Sequence, residues 1–295
     1  MKIKYKYPDC NLIVSNIKIK KKIIHHGPDY PIKLFIIEIN NKLYVLKIKD
    51  KKYIMWNKDK LHNNKKFINI YKYTIENLDK SLLKYLYKIF YTFQTNNKFF
   101  HIMEKYDYDL DYDFFEKNHS KNVLKNLLVK IQIILFYLNN KLLIYHNDIV
   151  NGNKYHIRNI MYNKRKIKHK KIVKYKLLNN LSVDIYDDVV EPIMIDLDNA
   201  SKNTPYFKRT NHFNEVFDNK INYMSEVIIF TYYYLIMIKN NKIVSAKIRF
   251  NNRIFLQKKI IKLYNLLKKY KYPINIDAYF IKMINQKYFD EWNKK

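Results

Sequence analysis

Two short runs in the middle of the chain carry residue types and spacings suited to chemistry on phosphate. Tyr145-His146-Asn147-Asp148 is followed by Asn159-Ile160-Met161-Tyr162, and Pro192-Ile193-Met194-Ile195-Asp196-Leu197-Asp198 closes a second apolar run. Each sets carboxylates or carboxamides at the border of a strand-like stretch, so together they offer a base and hard oxygen ligands for a metal ion. Transfer of a γ-phosphoryl group asks for little covalent work from a protein. The acceptor hydroxyl must be held in line, and the phosphate charge must be neutralised. Asp148 is the candidate for orienting the hydroxyl. Asp196, with an asparagine carbonyl, is the candidate protein share of a Mg²⁺ sphere, because Mg²⁺ keeps several waters and takes one or two carboxylates beside substrate phosphates. Taken singly, Asp148, Asn159, Asp196 and Asp198 read as turn or strand-end residues, a common role for Asp and Asn. Their ordered combination favours the chemical reading.

The elements that must position these groups follow from periodicity. Up to about residue 100 the chain shows short β-rich runs (residues 12–18, 33–39, 43–48 and 99–103) interrupted by one helical stretch. Beyond it the pattern turns helical. Ser120 is placed to cap a helix whose Leu124, Leu127, Leu128, Ile131, Ile134, Leu135 and Leu138 recur at three- and four-residue spacings and form one apolar face. A second apolar helix, about residues 221–239, reads as buried; its longest apolar run, residues 227–238, is too short to span a bilayer. The expected class is α+β.

In that order, His146-Asn147-Asp148 and Asp196-Leu197-Asp198 resemble the H-R-D catalytic loop and the D-F-G triplet of the protein-kinase superfamily. The resemblance runs from about residue 17 to the Asp290-Glu291-Trp292 tail. It implies a bilobal kinase-like fold, with a small β-rich N-lobe over residues 1–104 and a larger, mainly helical C-lobe over residues 105–295. Lys42-Leu43-Tyr44-Val45-Leu46-Lys47-Ile48 resembles the third strand of the small lobe, with Lys47 in the place of the V-A-I-K lysine, which implies that Lys47 contacts the α- and β-phosphates. Glu76 is its implied ion-pair partner, with Asp79 as the competing choice. Phe99-Phe100-His101-Ile102-Met103-Glu104-Lys105-Tyr106 resembles the strand and hinge joining the lobes, so that Met103, Glu104 and Tyr106 would border adenine. Gly27 falls where a nucleotide loop is expected, and Glu226 stands where an aspartate ordinarily anchors the catalytic loop. The implied cofactors are ATP and Mg²⁺, or Mn²⁺. Within the superfamily, Asp196-Leu197-Asp198 and Phe289-Asp290-Glu291-Trp292 look most like the poxvirus serine/threonine kinases. That implies phosphoryl transfer to serine or threonine of a protein substrate, in the host cytoplasm and the virion.

Several positions depart from the family pattern. The chain has only two glycines, Gly27 and Gly152, and the segment around Gly27 has one glycine and two prolines where backbone N–H groups should approach phosphates. The metal-binding asparagine has two claimants. Asn153 has the usual five-residue spacing after Asp148, whereas Arg158-Asn159-Ile160-Met161-Tyr162 better resembles the asparagine and its following strand and implies a six-residue insertion. Val150 occupies a position ordinarily taken by lysine, with Lys154 nearby in sequence. Asp198 stands where glycine is usual. No A-P-E motif closes the segment holding Ser201, Thr204, Thr210 and Glu215. Two other classes therefore stand beside the enzyme reading: a catalytically inactive kinase-fold scaffold, and a basic nucleic-acid-binding protein.

Composition sets the remaining bounds. At 295 residues and 48% hydrophobic, the chain is long enough for two lobes and too apolar to be disordered. The formal net charge of +31 would draw acidic proteins or nucleic acid through a salt-sensitive field. Lys, Asn, Ile and Tyr share A/T-rich codons, however, so codon bias accounts for the lysine excess and the glycine scarcity together. The run Lys164-Arg165-Lys166-Ile167-Lys168-His169-Lys170-Lys171 is the strongest polyanion candidate, and a solvated loop is its plain reading. It opens an insertion whose far end carries Asp184, Asp187, Asp188 and Glu191, a layout expected to fold back on itself or meet a partner. The single Cys10 suits a reducing compartment, and the first residues lack an apolar signal core, so a non-secreted protein without a transmembrane segment is expected.

Overall fold

Asn40 and Asn41 turn the chain between two β-strands with φ of 50° and 60°, the left-handed pair demanded by a two-residue hairpin. The computed structural model in which they lie describes residues 2–7, 17–23, 32–50, 64–110, 119–151, 156–157, 159–164, 171–187, 190–203, 225–240, 245–269 and 275–292. The chain divides into two units: Met1–Tyr73 with Leu86–Tyr106 and Asp196–Asp198, and Thr74–Tyr85 with Asp107–Ile195 and Asn199–Lys295.

The first unit is built on a six-stranded antiparallel sheet. Its strands are β1 (Lys2–Lys6), β2 (Lys18–Ile23), β3 (Ile32–Ile39), β4 (Lys42–Asp50), β5 (Ile89–Gln94) and β6 (Lys98–Glu104), in the order β1-β5-β6-β4-β3-β2. The two edge strands, Lys-Ile-Lys-Tyr-Lys and Lys-Ile-Lys-Lys-Lys-Ile, are the most lysine-rich. Charge at a sheet edge discourages pairing with another chain, so part of the lysine excess has a structural use. Sequence periodicity placed a first strand at residues 12–18; the strand observed there begins at Lys18, and residues 11–16 lie outside the described set. Ile37, Ile39, Tyr91, Phe93 and Ile102 form one apolar cluster. On α1 (Asn64–Asn77), Phe67, Ile70 and Tyr71 are buried. The Tyr71 hydroxyl donates to the Tyr87 carbonyl at 2.8 Å and accepts from the Ile89 N–H at 2.9 Å, tying the helix to the start of β5.

The second unit is organised by two helices. In α2 (Lys121–Phe136), Ser120 caps the first turn by accepting from the Val123 N–H at 3.4 Å, as the sequence led us to expect, and residues 126–136 are all buried. The later helices are α3 (Glu226–Asn240), α4 (Ala246–Lys269), α5 (Ile276–Met283) and α6 (Phe289–Trp292). Residues 226–236 of α3 are buried on every side, which matches its nearly uninterrupted apolar sequence. Gln132 Nε2 donates to Thr231 Oγ1 at 2.7 Å and the Tyr234 hydroxyl to the Leu124 carbonyl at 2.8 Å, so polar contacts fix the register of α2 against α3. No helix of the described residues is long and apolar enough to cross a membrane.

Short strands complete this unit: β7 (Tyr108–Asp109), β8 (Ile144–Tyr145), β9 (Val150–Asn151), β10 (His156–Ile157), β11 (Ile160–Lys164), β12 (Lys171–Leu178), β13 (Leu181–Asp187), β14 (Val190–Met194) and β15 (Ser201–Lys202). Within the charge-split insertion, residues 171–187 fold back as the β12–β13 hairpin, pairing Lys174 with Asp184 across the strands, and the basic run 165–170 lies outside the described residues. Asn126 of α2 holds it down, its side-chain amide donating to the Tyr186 carbonyl at 2.6 Å and accepting from the Tyr186 N–H at 3.0 Å. The small sheet β14-β11-β7 delivers the chain to Ile195, and β8 pairs with β15 on leaving Tyr145.

The hairpin at Asn40-Asn41 can be tested directly. A β-branched residue forced to positive φ costs about 1–2 kcal/mol, so Asn41→Val should lower the thermal unfolding midpoint, whereas Asn41→Gly should leave it unchanged or raise it.

Candidate active site

In a strand, side chains two apart share a face, and in β4 this sets Lys47 and Lys49 on the same buried side. His101 of β6 lies opposite Lys47 in register, and the Phe67 ring sits 5.1 Å from the Lys49 ammonium. Asp196–Asp198 belongs to this same unit. Lys47 Nζ donates to both oxygens of Asp196, at 2.9 Å each, and to Asp198 Oδ2 at 2.8 Å. Lys49 Nζ donates to that same Asp198 oxygen. Between the two carboxylates, the Leu197 N–H donates to the Tyr87 hydroxyl at 3.3 Å, while the Tyr87 carbonyl accepts from Tyr71.

These four charges set one another's protonation. Burial pulls the Lys47 ammonium down, but the Asp196 and Asp198 carboxylates outweigh it and hold its pKa above the usual lysine value. Burial prevails at Lys49, aided by the charge of Lys47, and lowers its pKa despite Asp198. Asp198, against the opposing pull of burial, is kept well below the carboxylate range by the two ammonium groups. Burial and the neighbouring Asp198 charge raise Asp196. His101 is driven well down by burial and then by Lys49, so its ring is neutral, with Nδ1 3.0 Å from Thr92 Oγ1.

The helical unit holds the other motif. His146 is fully buried, and its Nε2 lies 2.8 Å from the Ile195 carbonyl, which can only accept, so Nε2 is the donor. Glu226, the first residue of α3, accepts the His146 N–H at 2.9 Å, the Asn147 N–H at 2.6 Å and Asn139 Nδ2 at 2.9 Å. Burial raises the Glu226 pKa, against these donors and the charge of His146. Asn147 takes φ of 62°, and its amide reaches the Tyr145 carbonyl and Ser201 Oγ, so the turn before Asp148 is braced on both sides. Asp148 itself is half-buried. Asn159, also left-handed at φ 58°, donates its amide nitrogen to the Asp148 carbonyl at 2.7 Å, and its own carbonyl accepts the Ile195 N–H at 2.8 Å. With that nitrogen committed, Oδ1 is the atom Asn159 has to offer a cation.

Glu76 is exposed near the end of α1, and the Lys47 ammonium is held instead by Asp196 and Asp198. Met103 is half-buried on β6, opposite Val45. The Glu104 N–H is already donated to the Lys88 carbonyl at 2.9 Å, and the Tyr106 hydroxyl bridges the Lys88 N–H at 3.0 Å and Glu104 Oε2 at 3.1 Å. These contacts stiffen the segment. Gly27, Asn153 and Lys154 lie outside the described residues. Lys49 was not anticipated; its signal was the matched spacing of Lys47-Ile48-Lys49 and Asp196-Leu197-Asp198. A cavity of about 380 Å³ in the helical unit, lined by Lys141, Leu178, Asn179, Asn180, Asn275 and Tyr279, carries no acid-base or metal-ligand pair.

Among the described residues no group of three or more His, Cys, Asp or Glu could cage a metal. The donors nevertheless suit Mg²⁺, which needs few protein oxygens. Both oxygens of Asp196 already face a cation, the Lys47 ammonium, and its side chain is 31% exposed and hence reachable.

No protein-family model and no curated protein matches this chain. Among solved structures, the kinase domain of a Plasmodium protein is similar to it, at 16% identity and a TM-score of 0.42, over 68% of this chain and 56% of that one. This chain thus spans little more than half of that structure's length. The described residues form an α+β architecture. A β-rich antiparallel unit carries Lys47 and the Asp196–Asp198 triplet, and a mainly helical unit carries the His146-Asn147-Asp148 loop.

Glu226 generates a prediction of its own. Replacing it with alanine strands buried donors, each costing about 1–3 kcal/mol, so Glu226→Ala should destabilise the protein by about 3 kcal/mol in chemical denaturation. An effect below about 0.5 kcal/mol, the size of a surface substitution, would show that this carboxylate does not anchor the loop.

Proposed function

We propose that this protein is an ATP-dependent kinase that transfers the γ-phosphoryl group to serine or threonine hydroxyls of proteins. The observation that carries the reading is the Lys47–Asp196 pair, two motif residues 149 positions apart brought together at 2.9 Å inside one unit. In this reading Lys47 binds the α- and β-phosphates, Asp196 and Asn159 Oδ1 hold Mg²⁺, and Asp148 orients the acceptor hydroxyl and takes its proton. Bound Mg²⁺ supplies the charge neutralisation that phosphoryl transfer requires. Met103, Glu104 and Tyr106 border adenine, with Gly27 in the phosphate loop. The carboxylate in the last place of Asp196-Leu197-Asp198 and the Phe289-Asp290-Glu291-Trp292 tail support a place beside the poxvirus serine/threonine kinases, acting in the host cytoplasm. Trp292 of that tail is buried and stacks on Tyr288 at 4.9 Å.

Incubation of the purified protein with Mg²⁺ and γ-labelled ATP should label the protein itself or a generic acceptor on serine or threonine. Asp148→Asn should cut the rate by about 10²–10⁴, the usual worth of a positioned general base, while ATP binding persists. Asp196→Asn should abolish Mg²⁺-dependent transfer with the fold retained. Full activity in Asp196→Asn would refute the metal assignment. ATP binding without transfer in the wild type would move the protein to the inactive-scaffold reading.

A further inference from the structure

We infer that Asp198 is the standing counter-ion of Lys47, that Lys49 holds Asp198 in place, and that Asp196 is thereby free to exchange its lysine for a metal ion. This deepens the proposed reading and rests on it. Exposure separates the two carboxylates: the Asp198 side chain is 9% exposed and that of Asp196 31%, against 10% and 8% for Lys47 and Lys49. The outer carboxylate can turn to an incoming cation and the inner one cannot. A buried ammonium stripped of its partner is strongly destabilised, so Lys47 needs a second acceptor if Asp196 is to leave it. Asp198 Oδ2, 2.8 Å away, is that acceptor. Glu76, exposed on α1, does not bury an ion pair.

Lys49 completes the balance. Its ammonium meets the same Asp198 oxygen from the adjacent inward position of β4, while the Phe67 ring faces it. The four groups sum to zero charge. Loss of the Asp198 charge alone leaves a cluster of +1 in which two ammonium groups compete for Asp196, the carboxylate that the metal must take. Loss of Lys49 together with Asp198 restores neutrality. Asp198 and Lys49 are therefore positioning residues acting through Asp196 and Lys47.

The test is ATP binding by calorimetry across a Mg²⁺ series, for the full-length wild type, Asp198→Asn, Lys49→Met/Asp198→Asn and Asp198→Glu, with thermal unfolding of each without nucleotide. Asp198→Asn should raise the Mg²⁺ concentration for half-maximal binding by about tenfold or more, as an uncompensated positive charge within a few ångström of the site requires. The double variant, neutral again but without the carboxylate that Lys47 needs when Asp196 leaves it, should recover only part of that loss, and Asp198→Glu, which keeps the charge, should stay near wild type. If Asp198→Asn does not fold, the double variant and Asp198→Glu decide. An Asp198→Asn protein with the wild-type Mg²⁺ requirement, a double variant as impaired as the single one, or an Asp198→Glu protein as impaired as Asp198→Asn would overturn the inference alone. Failure of the wild type to bind ATP at any Mg²⁺ concentration would overturn the proposed function, and this inference with it.

Discussion

A buried charge is tolerated only when it is paired, and two lysines and two aspartates meet that condition for one another inside the β-rich unit. Strand β4 depends on this. With Lys47 and Lys49 both facing inward, it would bring two bare ammonium groups into an apolar interior, a cost of several kcal/mol per ion even after relaxation. The Asp196–Asp198 segment, arriving from far along the sequence, makes that strand acceptable. The surroundings avoid adding to the problem. His101, opposite Lys47, stays neutral and faces Thr92, and Tyr87 offers a hydroxyl to the Leu197 N–H, so no third positive charge enters the cluster.

Glycine scarcity imposes a second constraint, and asparagine answers it. The described non-glycine residues at positive φ are Asn40, Asn41, Leu143, Asn147, Asn159, Asp196 and Asn203, and three of them lie in the motifs read as catalytic. An L-residue in this region is strained, and Asn and Asp bear it best because their short polar side chains bond locally. Asparagine adds what glycine lacks. Asn147 takes the sharp turn and also bonds Tyr145 and Ser201; Asn159 turns the chain and also holds the Asp148 carbonyl. The same atoms that relieve backbone strain thus fix the loop around Asp148.

Much of this was legible in the sequence, and the rest was hidden for physical reasons. The Ser120 cap and the all-round burial of α3 follow from local pattern, because capping and periodicity act within a few turns. Strands β1 and β2 were obscured because lysine-rich runs read as solvated, and only the sheet order shows them as edges. Lys49 was missed for a related reason. Lysine is rarely buried unless paired, and its partner, Asp198, lies 149 residues away. Glu76 was implied by the resemblance, but a place in a helix does not fix which face turns inward, and here Glu76 is exposed. The β12–β13 hairpin could be read only as a split of charge, since its register depends on Asn126 of a distant helix.

The loop that carries Asp148 owes its shape to carboxylates sunk among the helices. Glu226 meets three donors, which suits an ionised carboxylate, an acceptor at both oxygens, better than an amide, whose nitrogen would face another N–H. One residue along on each side the pattern repeats: Asn140 and Ser225 both donate to Asp277 of α5, beside Asn139 and Glu226. The wide turn after α2, the start of α3 and the start of α5 are stitched together at two adjacent carboxylates. Burial raises the pKa of both, and the hydrogen-bond donors oppose it. Because every one of these contacts lies within the helical unit, the backbone before Asp148 is set before any ligand arrives. Preorganisation of this kind spares a reaction the cost of ordering its own catalyst.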